Sequence, residues 1–179
     1  VATTFFVSKF FSRNIDEILV SPTPPSVIIA GFIASGVFRG MLVGILVMIV
    51  SLFFALPSIA HPLVVLLFLF LSSLVFALGG LINGIYAKSF DGITIVPTFV
   101  LTPLVYLGGV FYSIHSLPPL WQTISLFNPV FYIINGFRYG FLGTSDVSLL
   151  TCFLVLLALM LVLLGVNVYF LKKGLGLKQ

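Results

Sequence analysis

Residues 149 to 171 read LLTCFLVLLALMLVLLGVNVYFL, a run without a charged residue that ends at Lys172 and Lys173. A helix that crosses a bilayer needs about 20 mostly apolar residues, because it rises about 1.5 Å per residue through a hydrocarbon layer about 30 Å thick. Basic residues commonly follow such a span on one side of the membrane. This run therefore predicts a transmembrane helix.

The composition of the whole chain agrees with that prediction. Of its 179 residues, 60% are hydrophobic and 7% are charged, and the mean hydropathy is +1.30. An average soluble domain has about 25% charged residues. We predict an all-α, polytopic helical membrane protein in which residues 1–179 form a single membrane domain. The first residues, VATTFF, do not resemble a signal peptide, and we expect the chain to be a fragment of a longer protein.

Three further spans are predicted upstream of the first. They lie within residues 26–57, at residues 63–86 and at residues 93–113. The last of these contains Pro97 and Pro103, which predict a kinked helix whose freed carbonyl groups are satisfied by neighbouring residues.

The basic residues predict the orientation of these four spans. Six of them fall in the N-terminal flank, the loop at residues 87–92 and the tail at residues 172–179: Lys9, Arg13, Lys88, Lys172, Lys173 and Lys178. The loops on the other side contain only Arg138. Because Lys and Arg are enriched in cytoplasmic loops, both ends of the chain are predicted to be cytoplasmic.

The first unusual connection, residues 12–25, reads SRNIDEILVSPTPP after Phe11. Asn14 can cap a short helix with Glu17 at the third position, and Asp16 adds negative charge at the positive end of the helix. Three prolines then stop the helix. We predict a short amphipathic helix on the cytoplasmic face.

The second unusual connection, residues 114–148, is too apolar for an exposed loop and too often broken by Pro and Gly for a regular span. Two short helices that dip into the outer leaflet and return would explain it. Such a re-entrant region needs a polar anchor, and Arg138 could donate to carbonyls left open by Pro129 and by the glycines at 136, 140 and 143. Asp146 is predicted to cap the approach to the last span.

Taken together, these segments resemble the permease subunit of type-2 ABC exporters over nearly the whole chain. The most specific part is LPPLWQTISLFNPVFYIINGFRYGFLG, residues 117–143, with its N-P-x-x-Y-x5-R spacing. The residues that carry this spacing are Asn128, Pro129, Tyr132 and Arg138. In that family the permease has six spans, so this chain would lack the first two.

The resemblance also implies partners and contact sites. Two copies of the permease would form a homodimer and would associate with two ATP-binding cassette subunits. Those subunits would bind the ATP and Mg. The main coupling helix would be Asn14 to Ser21, and the loop from Lys88 to Gly92 would be a second contact. The residues assigned to ATPase coupling are Asn14, Ile15, Asp16, Glu17, Ile18, Leu19, Lys88 and Asp91. For Asp91 the local sequence favours an Asp-Gly turn over a contact with the ATPase.

Two other features of the spans have competing interpretations. Glycines recur four apart at Gly36, Gly40 and Gly44 and again at Gly80 and Gly84, which is typical of close helix packing, either static or sliding during gating. Arg39 lies within the long 26–57 run. It could snorkel to the cytoplasmic edge from a span at residues 41–60, or it could line a conduit.

Several functional classes find no support in the sequence. It has no G-x-x-x-x-G-K-[ST] motif for binding ATP phosphates, and no nucleophile-base arrangement for a membrane enzyme. His61 and His115 have no second ligand at metal spacing, and the scattered basic residues do not form a nucleic-acid surface. We predict a transport subunit without cofactor, metal site or enzymatic activity of its own, in the bacterial inner membrane. The alternative is an ATP-independent channel or secondary transporter.

Overall fold

The computed structural model describes residues 1–10, 24–54, 59–110 and 113–173. Within these ranges the chain is helical and contains no β-strand. The predicted coupling helix, Asn14 to Ser21, and the last residues of the predicted tail lie outside the described residues.

The chain folds into eight α-helices in the described part, joined by one π-helical and one 3-10 segment. The bounds are α1 Ala2–Phe10, α2 Pro25–Phe54, α3 Pro62–Tyr86, α4 Phe90–Ile95, the π-helix Val96–Leu101, α5 Thr102–Leu107, the 3-10 helix Ile114–Ser116, α6 Pro119–Leu126, α7 Pro129–Leu142 and α8 Leu149–Lys173. Four stretches are long and apolar enough to cross a membrane: Ser26–Phe54, Pro62–Tyr86, Phe90–Leu107 and Leu149–Lys173. The prediction of an all-α, polytopic membrane protein is confirmed.

Helix α3 lies at the centre of the bundle and contacts α1, α2, α7 and α8. It begins with Pro62 in the first turn, where a missing N–H costs nothing. The side chains of Phe68, Leu78 and Leu81 are fully buried. In contrast, α2 is buried on its α3 side and exposes most of its apolar surface. The described core is therefore built around one helix.

Glycines allow α2 to approach α3 closely. A Cβ added to Gly36 would collide with the side chain of Val1 and press on Ala77, and one added to Gly40 or Gly44 would collide with Ser73 or Leu69 respectively. Each step along α2 is thus matched by an equal step backwards along α3, so the two helices are antiparallel and in fixed register. The predicted close-packing face exists, and its partner lies within the same chain.

Two more helices pack on α3 in the same way. Gly84 of α3 is so close to α1 that a Cβ would lie 2.9 Å from the carbonyl oxygen of Ala2. On α7, a Cβ at Gly136 would enter the ring of Phe68, and one at Gly140 would meet Val65. Gly80 also faces the start of α1. Small residues at helix contacts are typical of membrane bundles, in which van der Waals packing replaces the hydrophobic effect.

The predicted kinked span is a helix with a π-helical insert rather than a simple bend. Pro97 cannot donate to the carbonyl oxygen of Ile93, and the side chain of Asn83 on α3 donates to that oxygen instead, at 2.9 Å. The hydroxyl of Thr102 donates to the carbonyl oxygen of Pro97 at 3.2 Å. The predicted compensation by neighbours is confirmed. The span ends at Leu107, earlier than predicted, because Gly108 and Gly109 turn the chain, with Gly109 at φ 80°.

Candidate functional site

The candidate site is a network of polar side chains that joins the end of α5, the 3-10 helix, α7 and the loop before α8. We call it the α7 network and define it by Asn128, Tyr132, Asn135, Arg138 and Asp146. It contains three of the four residues of the N-P-x-x-Y-x5-R spacing, and the fourth, Pro129, is the first residue of α7.

Asn128 sets the start of α7 and ties it to α5. Its Oδ1 accepts from the backbone N–H of Val130 at 3.0 Å, which is the geometry of an N-cap, and Pro129 fills the first helical position. Its Nδ2 donates to the carbonyl oxygen of Leu104 at 2.6 Å. Asn128 is 3% exposed, so both functions of its amide are used in a dry environment.

Two further bonds hold the turn between α6 and α7. The hydroxyl of Tyr132 donates to the carbonyl oxygen of Leu126 at 2.7 Å, and the hydroxyl of Ser125 donates to that of Leu107 at 3.1 Å. Both acceptors lie at the last residue of a helix, where carbonyl groups have no partner within the helix. The N-P-x-x-Y part of the motif therefore closes the α6–α7 turn against α5.

Arg138 bridges two segments that are distant in sequence. Its Nη1 lies 2.7 Å from Oδ2 of Asp146, and its Nη2 donates to the carbonyl oxygen of Gly109 at 2.7 Å. These two acceptors differ from the carbonyls near Pro129 and the glycines at 136, 140 and 143 that the sequence predicted. The first turn of α7 is already capped by Asn128. The carbonyl oxygen of Gly109, where the chain turns, lies within reach of the arginine and accepts from it.

Asp146 collects donors from three directions. Its carboxylate accepts from the hydroxyl of Ser113 at 2.9 Å, the backbone N–H of Ile114 at 3.2 Å and Arg138. Its own N–H donates to Oδ1 of the buried Asn135 at 2.8 Å. Burial favours the neutral acid, but these hydrogen bonds and the positive charge outweigh it, so the pKa of Asp146 lies below its usual value.

Asp146 does not cap α8 as the sequence predicted. The hydroxyl of Ser148 accepts from the backbone N–H of Thr151 at 3.2 Å and so occupies the capping position. The carboxylate points instead to the start of the 3-10 helix. Sequence reasoning also missed Ser113 and Asn135 as partners, because nothing in their local pattern distinguishes them from ordinary turn and helix residues.

The described bonds of the α7 network end on backbone groups and side chains of neighbouring segments. Its named bonds connect α7 to two other segments and to the approach of α8, and none of the groups is arranged as a nucleophile with a base. The arrangement is suited to holding the outer connection together as one unit. The re-entrant path of α6 and α7 through a membrane stays a prediction.

The loop between α3 and α4 lies at the start of the kinked span, whereas the α7 network lies at the end of that span. Ser89 caps α4 by accepting from the N–H of Gly92 at 3.1 Å, while Lys88 and Asp91 are exposed. Asp91 lies in the first turn of α4, so the Asp-Gly turn considered above does not form. The hydrogen bond from the side chain of Asn83 to the carbonyl oxygen of Ile93 holds α4 against α3. The two helices on either side of the exposed loop are therefore linked to each other.

Arg39 is exposed on α2 and is not part of the α7 network. It lies between Gly36 and Gly40, whose faces of α2 contact α3.

These features define a polytopic helical membrane protein with a polar network between α5 and α8, and comparison with known proteins identifies the family. The family described as ABC-2 type transporter matches residues 1–142. The chain is 52% identical over all 179 residues to the inner membrane transport permease YadH of Escherichia coli K12, of which it covers 70%. The chain therefore belongs to the ABC-2 type transporter family.

More distant relatives match about half of the chain. The nodulation protein J of Rhizobium leguminosarum bv. trifolii is 33% identical over 93 residues, which are 52% of this chain and 32% of that protein. The capsule polysaccharide export inner-membrane protein BexB of Haemophilus influenzae is 38% identical over 94 residues, which are 50% of this chain and 34% of BexB. No solved structure gives a significant match.

Proposed function

We propose that the chain is the pathway-forming membrane subunit of an ATP-driven exporter in the bacterial inner membrane, coupled to a separate ATP-binding subunit. The observation that carries the proposal is the family match over residues 1–142 together with identity along the full chain to an inner membrane transport permease. One relative, BexB, is named for export, which supports the same direction of transport.

In this proposal ATP-driven closure of the partner subunits displaces cytoplasmic segments of the permease. The coupling residues are those assigned from the sequence, in the helix from Asn14 to Ser21 and in the exposed loop that contains Lys88 and Asp91. A displacement of this loop would be transmitted to the central helix, since Asn83 links that helix to α4. A second copy of the permease and the lipid bilayer complete the pathway.

The α7 network has a supporting role in the proposal. Transport by alternating exposure needs two packings of different stability, and segments that move must move as units. The bonds of Arg138 and Asn128 tie the outer connection to α5, so a displacement that begins in α4 would reach it through one continuous helix.

The experiment that tests coupling is a pull-down of the full-length permease from gently solubilised membranes, followed by identification of bound subunits. The test variant reverses both charges of the proposed coupling helix, Asp16→Lys with Glu17→Lys. The matched control reverses two exposed lysines at the end of α8, Lys172→Glu with Lys173→Glu, and changes as much charge outside the proposed contact.

The expected result is recovery of a P-loop ATPase with the wild type and the control but not with the Asp16/Glu17 reversal. Equal recovery with all three proteins would contradict the coupling assignment and leave the exporter class standing. Failure to recover an ATPase with folded, abundant wild-type protein would contradict the exporter class.

One observation bears on the alternative of an ATP-independent carrier. A secondary transporter needs ionisable residues within its spans, and Arg39 is such a residue in α2. The family match and the identity to an inner membrane transport permease favour the ATP-driven proposal over this carrier.

A further inference from the structure

The π-helical segment of the kinked span, Val96–Leu101, accommodates one residue more than an α-helical turn does. The backbone N–H of Thr102 donates to the carbonyl oxygen of Pro97, five residues earlier, whereas an α-helical bond reaches back four residues. The hydroxyl of Thr102 donates to the same oxygen at 3.2 Å. The extra residue is therefore held at its described position by two donors.

Bonds from other helices hold the span on both sides of this segment. Before it, the side chain of Asn83 on α3 donates to the carbonyl oxygen of Ile93 at 2.9 Å. After it, the side chain of Asn128 donates to the carbonyl oxygen of Leu104 at 2.6 Å. Conversion of the π turn into an α turn would rotate one of these ends against the other by about 100°. With both ends held, the extra residue can only move along the span.

Prolines mark two positions for the extra residue between the held ends. Pro97 lies inside the described π-helix and has no N–H for the helical ladder. Pro103 has none either, so the carbonyl oxygen of Phe99 lacks its α-helical donor. A π turn at that place would give this oxygen the N–H of Leu104, five residues on. The second position would thus replace the hydrogen bond that Pro103 removes.

A shift of the π turn from the first position to the second would rotate only the residues between them. Val100 and Leu101 would turn by about 100° around the helix axis, and a side chain that extends about 5 Å from the axis would move about 7 to 8 Å. Ile93 and Leu104 would keep their bonds to Asn83 and Asn128. Such a shift changes the side chains that the middle of the span presents without separating the span from the α7 network.

We propose that the π turn is a movable joint, which shifts between Pro97 and Pro103 and rotates Val100 and Leu101 while both ends of the span stay anchored. The inference goes beyond the proposed function, because it assigns a moving element to one particular span. It does not depend on the energy source or on an ATP-binding partner.

Changes in length test whether the span holds an extra residue. The full-length permease carries the cysteine pair Gly108→Cys and Ile134→Cys in a background without native cysteines, which includes Cys152→Ala. A Cβ at position 108 lies 2.6 Å from Cδ1 of Ile134, so this pair forms a disulfide when α5 and α7 are in contact. Deletion of Phe99 is compared with insertion of one alanine after Phe99.

We expect the disulfide to form in the deletion variant as it does at the natural length, and to be lost in the insertion variant. The deletion only converts the π-helix into an α-helix, whereas the insertion adds a second extra residue. In a regular helix both changes would rotate one end by about 100° and would be equally harmful. Equal disulfide formation or equal loss in the two variants would therefore overturn the proposal.

Distances between spin labels test the movement. One label is placed at Val100→Cys, and the matched control at Val105→Cys, beyond the second position. Each is paired with a reference label at Gly165→Cys and, in a separate sample, at Gly79→Cys, because nothing lies within 4 Å of a Cβ added at either glycine. Pulsed electron resonance records the distances in lipid nanodiscs in which labelled chains are diluted with unlabelled permease.

We expect two distances from Val100 to at least one reference, separated by up to about 7 to 8 Å, and a single distance from Val105. Pro103→Ala restores an N–H donor to the carbonyl oxygen of Phe99 and should leave one distance, as should deletion of Phe99. A single distance from Val100 at the natural sequence would overturn the proposal. So would two distances that persist in both variants or that also appear at Val105, because the whole span would then be moving.

Discussion

Arg138 and Asp146 show how single residues fix the outer connection. They form the one ion pair between described residues, and their side chains are 19% and 13% exposed. Arg138→Ala would remove the described donor of the Gly109 carbonyl oxygen and the ion pair with Oδ2 of Asp146, which would keep only the N–H of Ile114. Leaving partly buried polar groups unpaired costs about 1–3 kcal/mol.

We therefore expect Arg138→Ala to loosen α7 and lower export. The measurement is the labelling rate of Ile134→Cys, whose side chain packs against Gly108 in the wild type. Arg138→Lys is the control, because an ammonium keeps the charge beside Asp146 but cannot span both acceptors, and it should give an intermediate rate. Unchanged labelling and export in Arg138→Ala would refute the anchoring role.

The pKa of Asp146 gives a pH dependence with a defined sign. Its folded-state pKa lies below the unfolded value of about 3.9, so its contribution to stability is fully present above that value and is lost as the pH falls through the folded pKa. We expect no change between pH 8 and pH 5 and a loosening only below about pH 4. The emission of Trp121, on α6, measures this, with Trp121→Phe as the blank; a transition near pH 6 would contradict it.

At the scale of helices, glycines determine which surfaces touch. Gly136→Ala would drive a methyl group into the ring of Phe68, a buried side chain of α3. Overpacking of this kind costs about 1–3 kcal/mol. Gly165→Ala is the matched control, because nothing lies within 4 Å of a Cβ at that position of α8.

We expect Gly136→Ala to lower the Tm of the detergent-solubilised permease and Gly165→Ala to leave it unchanged or raise it slightly, as alanine favours helix. Equal Tm values for the two variants would show that the α3–α7 contact is looser than described.

The sequence predicted helices better than it predicted contacts. Hydropathy located the four spans because length and apolarity are local properties, and the N-P-x-x-Y-x5-R spacing singled out Asn128, Tyr132 and Arg138. The partners of Arg138 were missed because Gly109 and Asp146 become neighbours only when α5 and α7 pack together. Similarly, the sequence did not predict the role of Asn83. Its acceptor, the carbonyl oxygen of Ile93, lacks a helix partner only because Pro97 has no N–H.

At the scale of the whole molecule, the predicted four crossings would place both ends of the chain on one side of the membrane. We expect alkaline phosphatase fused after Ala60, Leu117 or Ser145 to be active outside the cytoplasm, and fusions after Ser89 or Lys173 to be inactive. Activity after both Leu117 and Ser145 is the result that a re-entrant α6–α7 region predicts. Activity at only one of them would mean that the chain crosses the membrane between them.

The position of α7 has a consequence for the order in which the chain assembles during synthesis. At 14 residues it spans about 21 Å, too short to cross a bilayer alone. It packs against both α3 and α8, and α8 is made after it. The α2–α3 hairpin can close its glycine contacts early, whereas α7 must wait for α8 before it is enclosed on both sides. Insertion of α8, rather than insertion of the first spans, is then the event that completes this part of the protein.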